Sequence, residues 1–586
     1  MFARITKRKN GDGSVVEYLQ IAHSVREPGS KHPRNKVLFG LGRVDRDADT
    51  LRALANGILR HLDRPDISAA RDDTDDLHLH PNEEGGVVAH DFASRKVGIQ
   101  LLLWALWKKL GIPEFFIERD SENGARQSRL AFLIVLNRAL DPRSKHALPG
   151  WAGREIWCDN ADELTAGQFY DVLDVIAHHD EALQRHIFEA MRALTNDTTD
   201  IALYDTSSTA FEMTEDDVAI AAREAEWTAW EQGDPDAPPP DVRRPQVVND
   251  PPARLRGYSR DHRPDLPQIV IGLATTERGL PIRSWTFPGN TTDGSTVTGI
   301  QQDLAATGVK DTVFVGDRGM TSEHNLAFLE SENIPFIVGK KLRDRSADIR
   351  QLLDTAGPMV PIDDERQALE VKAPNHEHRR LLLVRHAGRA SHDAKVRASL
   401  IAAAAARAAK VNASSTPHPR AACELETRRA LARLLTNGED GAFRVDDAAV
   451  AREARLDGVM VLATNTTLSA ARVAAAYQGL LRTEDGWRTM KNTESLRPIH
   501  HRREDRIRAH ITCCALGLGL IRTVEHLTGT TWDRVVKELA DVHRVTFRNG
   551  EREHATATRM SVEQRKLYEQ VGAELPGPAV RRTWAV

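Results

Sequence analysis

The sequence is poor in cysteine and has no long apolar run. Four cysteines in 586 residues are too few for a disulfide scaffold, and none has the paired spacing of a zinc site. No stretch approaches the roughly 18 uninterrupted apolar residues of a membrane span. The first residues, Met1–Lys9, contain no apolar signal segment. We therefore expect a cytoplasmic protein without a membrane partner.

The sequence also has no large excess of either positive or negative charge. The chain has 80 Lys and Arg residues against 84 Asp and Glu residues, a formal net charge of −4. This balance excludes a uniformly basic surface, so any nucleic acid must be bound by local charge. With 41% hydrophobic residues the chain can bury several cores. At roughly 100–200 residues per domain, its length predicts about three or four domains.

The local charge changes sign near residue 60. Residues 1–60 hold twelve Lys and Arg against six Asp and Glu, whereas residues 61–90 hold two against eight. Together with strand-like alternation in Val15–Ile21, this predicts a basic, β-rich module at 1–62 and an acidic linker at 63–92. An ordinary solvated run of charge is an open alternative for each half.

The rest of the chain changes from a helical pattern to alternating strands and helices. Apolar residues at three- and four-residue steps predict a helical domain at 93–198. The region 199–344 reads as one strand, a hairpin, then helix, strand, helix and strand. Strand-like pieces and an alanine-rich helix interrupt this order at 345–456, which we interpret as an insertion. The α/β pattern resumes at 457–530, and the pattern does not place the mixed elements of the tail, 531–586.

Three acidic residues stand out by their positions. Asp205 and Asp317 each follow a short apolar strand, and Glu484 lies on a helix predicted from about Ser469 to Thr493. The carboxyl ends of parallel strands are where α/β sheets place their ligands. Carboxylates brought together repel one another unless a cation intervenes, and oxygen donors without His or Cys suit Mg²⁺ or Mn²⁺. A pair of such ions about 3.5–4 Å apart serves phosphoryl transfer. Each aspartate alone is more often a turn residue, so the prediction depends on the combination.

The helix that carries Glu484 has further functional candidates. Tyr477, Glu484 and Lys491 are seven residues apart, which predicts one common face with about 10 Å between successive members. Arg488, four residues after Glu484, can reach the same carboxylate or a nearby phosphate. A solvated face of i,i+4 ion pairs is the open alternative.

As a set, these segments resemble bacterial insertion-sequence transposases of the DDE type, in the IS-four-like superfamily. Tyr477, Glu484 and Lys491 match three of the four places in the signature Tyr-x2-Arg-x3-Glu-x6-Lys. Leu480 stands where the signature has arginine, and Arg482 is the nearest candidate for that role. The other segments that carry the resemblance are Leu203–Ser208, Gly257–Gln268, Phe287–Thr292 and Val313–Gly319.

The resemblance implies a multidomain α/β fold with an RNase H-like core. This core would be a mixed five-stranded sheet with helices, interrupted by a β-rich and helical insertion and preceded by the basic module and the helical domain. Asp205, Asp317 and Glu484 would hold two Mg²⁺ ions, for which Mn²⁺ can substitute. The ions would serve DNA strand cleavage and transfer of the new 3′-hydroxyl into target DNA.

The resemblance also implies DNA as the partner. The protein would bind double-stranded DNA at the element's terminal inverted repeats and at the target, as a homodimer on DNA and in association with the nucleoid. The candidate DNA contacts are Tyr477, Lys491, Arg488, Arg482, Arg318, Arg260 and Arg263. Two alternatives are a structure-specific Mg²⁺ nuclease that does not join strands and a catalytically silent DNA-binding descendant of a transposase. The presence of all three acidic residues disfavours the second.

Overall fold

The structure is a computed structural model that divides into two units, Met1–His90 and Asp91–Val586. It describes residues 2–9, 15–25, 34–43, 90–233, 243–306, 309, 312–342, 353, 357–373, 376, 378–413, 427–438, 441–549 and 552–576. Residues 63–89 of the predicted acidic linker lie outside the described residues.

The first unit contains a three-stranded antiparallel sheet. Its strands, in chain and spatial order, are β1 (Phe2–Lys9), β2 (Val15–Val25) and β3 (Arg34–Arg43). The alternating segment Val15–Ile21 lies within β2. The register of β2 against β3 shifts after Leu19 and again after Ile21, which indicates a local bulge in this pair.

The second unit begins with β4 (His90–Lys96) and a set of helices. The helices are α1 (Gly98–Lys109), α2 (Ile112–Arg119), α3 (Gly124–Leu140), α4 (Leu148–Glu155), α5 (Ala166–His178) and α6 (Asp180–Thr195). Local sequence fixes where some of them begin. Thr165 and Gln168 form a reciprocal capping box that satisfies free backbone amides at the start of α5.

A nine-stranded mixed sheet lies at the centre of the second unit. Its strands, in spatial order, are β10 (Val360–Pro361), β11 (Arg366–Lys372), β12 (Arg380–His386), β15 (Val459–Thr464), β9 (Phe336–Lys340), β8 (Val313–Gly316), β5 (Ile201–Ala210), β6 (Gln268–Thr276) and β7 (Pro281–Pro288). β5 is parallel to β8 and β8 to β9, and every other neighbouring pair is antiparallel.

The sheet is larger than the expected five strands. β12 and β15 extend it past β9 because their side chains are buried on both faces of the sheet. Leu382 and Leu462 belong to one hydrophobic cluster, and Leu381 and Val461 belong to the cluster on the other face. β10, β11 and β12 come from the segment 345–456, so this part of the predicted insertion belongs to the sheet.

Helices cover both faces of the sheet. The remaining elements of this region, in chain order, are α7 (Asp217–Glu231), α8 (Asp293–Ala306), α9 (Glu323–Ser331), α10 (Ala387–Asn412), α11 (Arg429–Ala432), β13 (Leu435–Asn437), β14 (Phe443–Val445), α12 (Asp447–Ala454), α13 (Ala470–Gln478) and α14 (Leu480–Arg488). α8 and α9 pack in the cluster on one face, and α13 and the start of α14 pack in the cluster on the other.

The helix predicted from about Ser469 to Thr493 is not continuous. It is divided at Gly479 into α13 and α14, and it ends in a π-helical turn, Thr489–Thr493. A Cβ atom at Gly479 would lie 2.8 Å from the Ala476 carbonyl oxygen and 3.3 Å from the Leu203 side chain. The glycine therefore allows this helix to approach β5 closely.

The tail, which the sequence pattern did not place, packs with the first helices of the second unit. Its elements follow α15 (Glu504–Thr528) and are α16 (Trp532–Leu539), β16 (His543–Asn549), β17 (Arg552–Ala557) and α17 (Val562–Val571). β16 and β17 form a sheet with β4, and α15, α16 and α17 share one hydrophobic core with α1–α6. α15 is long and apolar enough to cross a membrane, and 89% of its most apolar window is buried inside the protein.

Candidate active site

Two of the predicted acidic residues lie side by side in the sheet. β5 and β8 run parallel, with Tyr204 opposite Gly316. Asp205 directly follows Tyr204 and Asp317 directly follows Gly316, so the two aspartates are neighbours across the pair. Alternation along β5 puts Asp205 on the same face as Leu203, which packs against α13 and α14.

The prediction that β5 ends at Asp205 is wrong. The strand continues to Ala210 because residues 205–210 pair with β6, with Asp205 opposite Leu273. The hydroxyl residues Thr206–Thr209 are buried in this pairing. Relative to β8, however, Asp205 still lies at the carboxyl end of the parallel pairing, where ligands of α/β sheets bind.

Asp205 lies close to other negatively charged side chains. Its burial raises the pKa of the Asp205 carboxyl to about 6, with a further increase from the Asp317 and Asp293 carboxylates, while Arg260 lowers it. Asp293, the first residue of α8, accepts hydrogen bonds from the Thr206 hydroxyl and the Arg260 guanidinium, both at 2.7 Å. Arg260 therefore only partly offsets the charge of three neighbouring carboxylates.

Tyr477 holds the second aspartate in place. Its hydroxyl donates a hydrogen bond of 3.2 Å to Oδ1 of Asp317. Burial and the nearby Asp317 carboxylate raise the pKa of this hydroxyl, so it remains protonated and able to donate. Gly339 on β9 makes room for the ring, because a Cβ atom there would collide with the Tyr477 hydroxyl.

Glu484 faces the same cleft as the two aspartates. A cleft of about 610 Å³ is lined by Asp205, Asp317, Tyr477 and Glu484 among others. The Glu484 side chain is exposed, and it makes no hydrogen bond or ion pair with the described residues. The structure thus places the three acidic residues around one cleft, with Glu484 free to move.

The cleft has the donor chemistry of a divalent-metal site. Asp205, Asp317 and Glu484 offer carboxylate oxygens, the donors that Mg²⁺ prefers, and a bound cation would offset the negative charge around Asp205. Within the described ranges, no three His, Cys, Asp or Glu side chains are grouped closely enough to hold a metal ion. The residue types therefore fit the ion, and the exposed Glu484 side chain would have to move inward to complete the set.

Lys491 does not line this cleft. The π-helical turn has a wider repeat than an α-helix, so position 491 does not continue the face of Tyr477 and Glu484 as the seven-residue spacing predicted. The Lys491 ammonium instead donates to the Ser208 carbonyl at 3.3 Å and to Asp261 Oδ1 at 3.4 Å. It therefore contacts the far end of β5.

Three of the predicted DNA-contacting arginines are paired with carboxylates. These pairs are Arg260–Asp293 at 2.7 Å, Arg263–Asp265 at 2.8 Å and Arg488–Asp485 at 2.6 Å. Arg488 was expected to reach Glu484, and it pairs with the adjacent acid instead. Exposed pairs such as the last two are weak, so DNA phosphates can compete for these side chains.

The other two predicted arginines lie in different places. Arg318 is exposed and lines the cleft with the three acidic residues. Arg482 lies in a separate pocket with Arg278 and Arg522, so it does not take the place of the missing signature arginine in the cleft.

Family comparisons identify the chain. A model described as the N-terminal domain of IS1634 family transposases matches residues 3–72, and a model described as the transposase DDE domain matches residues 243–520. The chain belongs to the insertion-sequence DDE transposases. The DDE match includes Asp317 and Glu484 and begins downstream of Asp205.

Other comparisons add little to this assignment. No curated protein matches the chain. Among solved structures, the transposase is similar to the piggyBac transposase in a cryo-EM structure of its synaptic complex with hairpin DNA. The two share 9% sequence identity, with 80% of this chain and 76% of that chain covered and a TM-score of 0.31. A similarity this low carries no argument about the site.

Sequence reasoning missed one acidic residue close to Asp205, Asp293, which does not line the cleft itself. Asp293 lies one residue beyond the segment Phe287–Thr292, which was used for the resemblance. No strand precedes it directly, and its proximity to Asp205 depends on how α8 packs against the sheet. The Thr-Thr-Asp sequence at the start of α8 is the one local signal, since acidic residues favour a helix N-terminus.

Proposed function

We propose that the transposase binds the terminal inverted repeats of its element and catalyses divalent-metal-dependent DNA cleavage and 3′-hydroxyl strand transfer into target DNA. One observation carries this proposal. Asp205, Asp317 and Glu484, which are far apart in the sequence of a DDE-family chain, surround a single cleft.

The strand order supports an RNase H-like catalytic core. Five neighbouring strands, β7-β6-β5-β8-β9, comprise three antiparallel strands followed by two that are parallel to β5. Asp205 lies on the central strand and Asp317 follows its parallel neighbour. Glu484 is on α14, which contacts β5. This is the arrangement that the family resemblance implied.

We propose that Asp205, Asp317 and Glu484 hold two Mg²⁺ or Mn²⁺ ions. When bound, such ions polarise the scissile phosphate and lower the pKa of the attacking hydroxyl or water. The hydrogen bond from Tyr477 fixes the orientation of Asp317 before DNA arrives. The raised pKa of Asp205 means that a proton competes with a cation for this carboxylate near pH 6.

The remaining parts of the proposal concern DNA. We assign recognition of the element's ends to the basic module at 1–62 and the helical domain at 93–198. The exposed guanidinium of Arg318 is placed to contact the DNA backbone within the cleft. We also propose a homodimer on DNA, since two ends must be processed in a coordinated way.

The experiment is a cleavage and strand-transfer assay on end-labelled DNA that carries the element's terminal repeat. We expect Asp205→Asn, Asp317→Asn and Glu484→Gln each to abolish Mg²⁺-dependent cleavage while DNA binding is retained. Asp533→Asn, which changes an exposed acid outside the cleft with no ion pair among the described residues, is the matched control. Retained cleavage in one of the three variants would remove that residue from the site.

The same assay separates the alternatives. A pre-nicked end bypasses the first cleavage, so joining of that end to target DNA demonstrates strand transfer directly. Cleavage without joining would identify a nuclease. Binding of the repeat without either reaction, in the presence of Mg²⁺ or Mn²⁺, would identify a silent DNA-binding protein.

A further inference from the structure

The cleft that contains the acidic residues has a second wall. One side is formed by the sheet and by α13 and α14, which carry Asp205, Asp317 and Glu484. The other side is formed by residues of α10 and α12, including Arg389 and Glu453. Residues of α10 and α12 therefore line the same cleft as Asp205, Asp317 and Glu484.

The basic residues of this cleft are not equivalent. Six Lys or Arg side chains line it, and four of them are paired with carboxylates. The pairs are Lys340–Glu323 at 2.8 Å, Arg366–Asp363 at 2.6 Å, Arg397–Asp457 at 2.6 Å and Arg433–Glu453 at 3.4 Å. The side chains of Arg318 and Arg389 are exposed and have no hydrogen bond or ion pair within the described part of the chain.

The two unpaired arginines line the same cleft as Tyr477 and Asp317, and both influence the Tyr477 hydroxyl electrostatically. Arg318 directly follows Asp317, and Arg389 comes from the first turn of α10 across the cleft. Burial and Asp317 raise the pKa of the Tyr477 hydroxyl, and the positive charges of both arginines oppose this effect, as expected for groups close to that hydroxyl.

We propose that Arg389 and Arg318 clamp a backbone phosphate of the DNA strand beside the scissile position, so that α10 helps to hold the reacting strand. This inference rests on the proposed function. A phosphodiester that enters a cleft lined by six acidic side chains, Asp205, Asp317 and Glu484 among them, is repelled, and two unpaired guanidinium groups in the same cleft reduce that repulsion. Guanidinium groups bind phosphate oxygens in a bidentate manner, and neither group is paired with a carboxylate of the described residues.

The test compares Arg389→Ala, Arg318→Ala and the double variant with Lys395→Ala. Lys395 is an exposed residue of the same helix, outside the cleft, so its variant controls for the loss of one charge from α10. Affinity for a terminal-repeat duplex is measured without divalent metal at several salt concentrations. We expect the slope of log affinity against log salt to fall in magnitude by about one in the double variant, because both side chains contact the same phosphate, and by a smaller amount in each single variant.

A second readout uses the metal-loaded enzyme at saturating DNA. We expect the cleavage rate to fall about 10- to 100-fold in Arg389→Ala and to recover partly in Arg389→Lys, which restores charge without the bidentate geometry. Melting temperatures check that each variant is folded.

The outcomes separate this inference from the proposed function. If the wild type cleaves and Arg389→Ala matches Lys395→Ala in both salt slope and rate, the clamp is refuted and the proposed function stands. If the wild type neither cleaves nor joins DNA, the proposed function fails, and the clamp fails with it.

Discussion

Asp205→Asn should stabilise the metal-free transposase while it abolishes activity. Burial and the neighbouring carboxylates raise the pKa of Asp205 to about 6 from an ordinary 3.8, so the ionised carboxyl destabilises the folded state. A difference of this size corresponds to about 3 kcal/mol at neutral pH. Asparagine keeps the shape of the side chain and has no charge, so it removes this cost.

The sign of the pH dependence follows from the same pKa. Between about pH 4 and pH 6 the folded state binds a proton at Asp205 that the unfolded chain has released, so wild-type stability falls as pH rises through this window. The variant lacks this dependence. We therefore expect it to be more stable than the wild type by about 3 kcal/mol at pH 7 and by only about 1 kcal/mol at pH 4.5.

Urea unfolding of both proteins in a chelating buffer measures this difference. Glu484→Gln is the matched control because Glu484 is an exposed acid of the same cleft, and we expect it to change stability by no more than about 0.5 kcal/mol. Adding Mg²⁺ should then stabilise the wild type more than Asp205→Asn. A stability gain that is equal at both pH values, or no gain at all, would refute the reasoning about the charge of this cleft.

Three further substitutions test other parts of the structure. Tyr477→Phe removes the hydrogen bond to Asp317, and we expect the cleavage rate at saturating DNA to fall about 10-fold, measured by single-turnover kinetics. Gly479→Ala places a Cβ atom 2.8 Å from a backbone carbonyl, and we expect a loss of about 1–3 kcal/mol in urea unfolding, with slower cleavage because α14 is displaced. Arg254→Ala leaves the buried Asp217 carboxylate without its ion-pair partner. We expect the free energy of unfolding to fall by about 3–5 kcal/mol, measured as a lower melting temperature, while the stabilisation by added Mg²⁺ stays unchanged.

Patterns that arise from local side-chain burial could be read from the sequence. The predicted hairpin around the turn Glu277–Gly279 is present as β6 and β7, and Gly279 has the positive φ of +80° that this turn requires. The strands before Asp205 and Asp317 were also found, because their apolar residues are buried on both faces of the sheet. From these two predicted strands alone, both aspartates were expected at the carboxyl ends of neighbouring parallel strands.

Features that depend on tertiary contacts could not be read in this way. The extension of β5 beyond Asp205 depends on pairing with β6, which lies further along the chain. The division of the long helix at Gly479 reflects the close approach to Leu203, a residue almost 280 positions away. The position of Lys491 follows from a π-helical turn that periodicity cannot predict, and the place of Asp293 follows from the packing of α8.

The central claim is that Asp205, Asp317 and Glu484 form one metal-dependent site for strand transfer. Glu484 is the member whose participation the fold constrains least, because its side chain is exposed and unpartnered among the described residues. The most direct measurement is therefore strand transfer of a pre-nicked terminal repeat into target DNA with Mg²⁺, comparing the wild type with Glu484→Gln at equal DNA occupancy. We predict joined product from the wild type and none from the variant. Equal joining by both proteins would contradict the account.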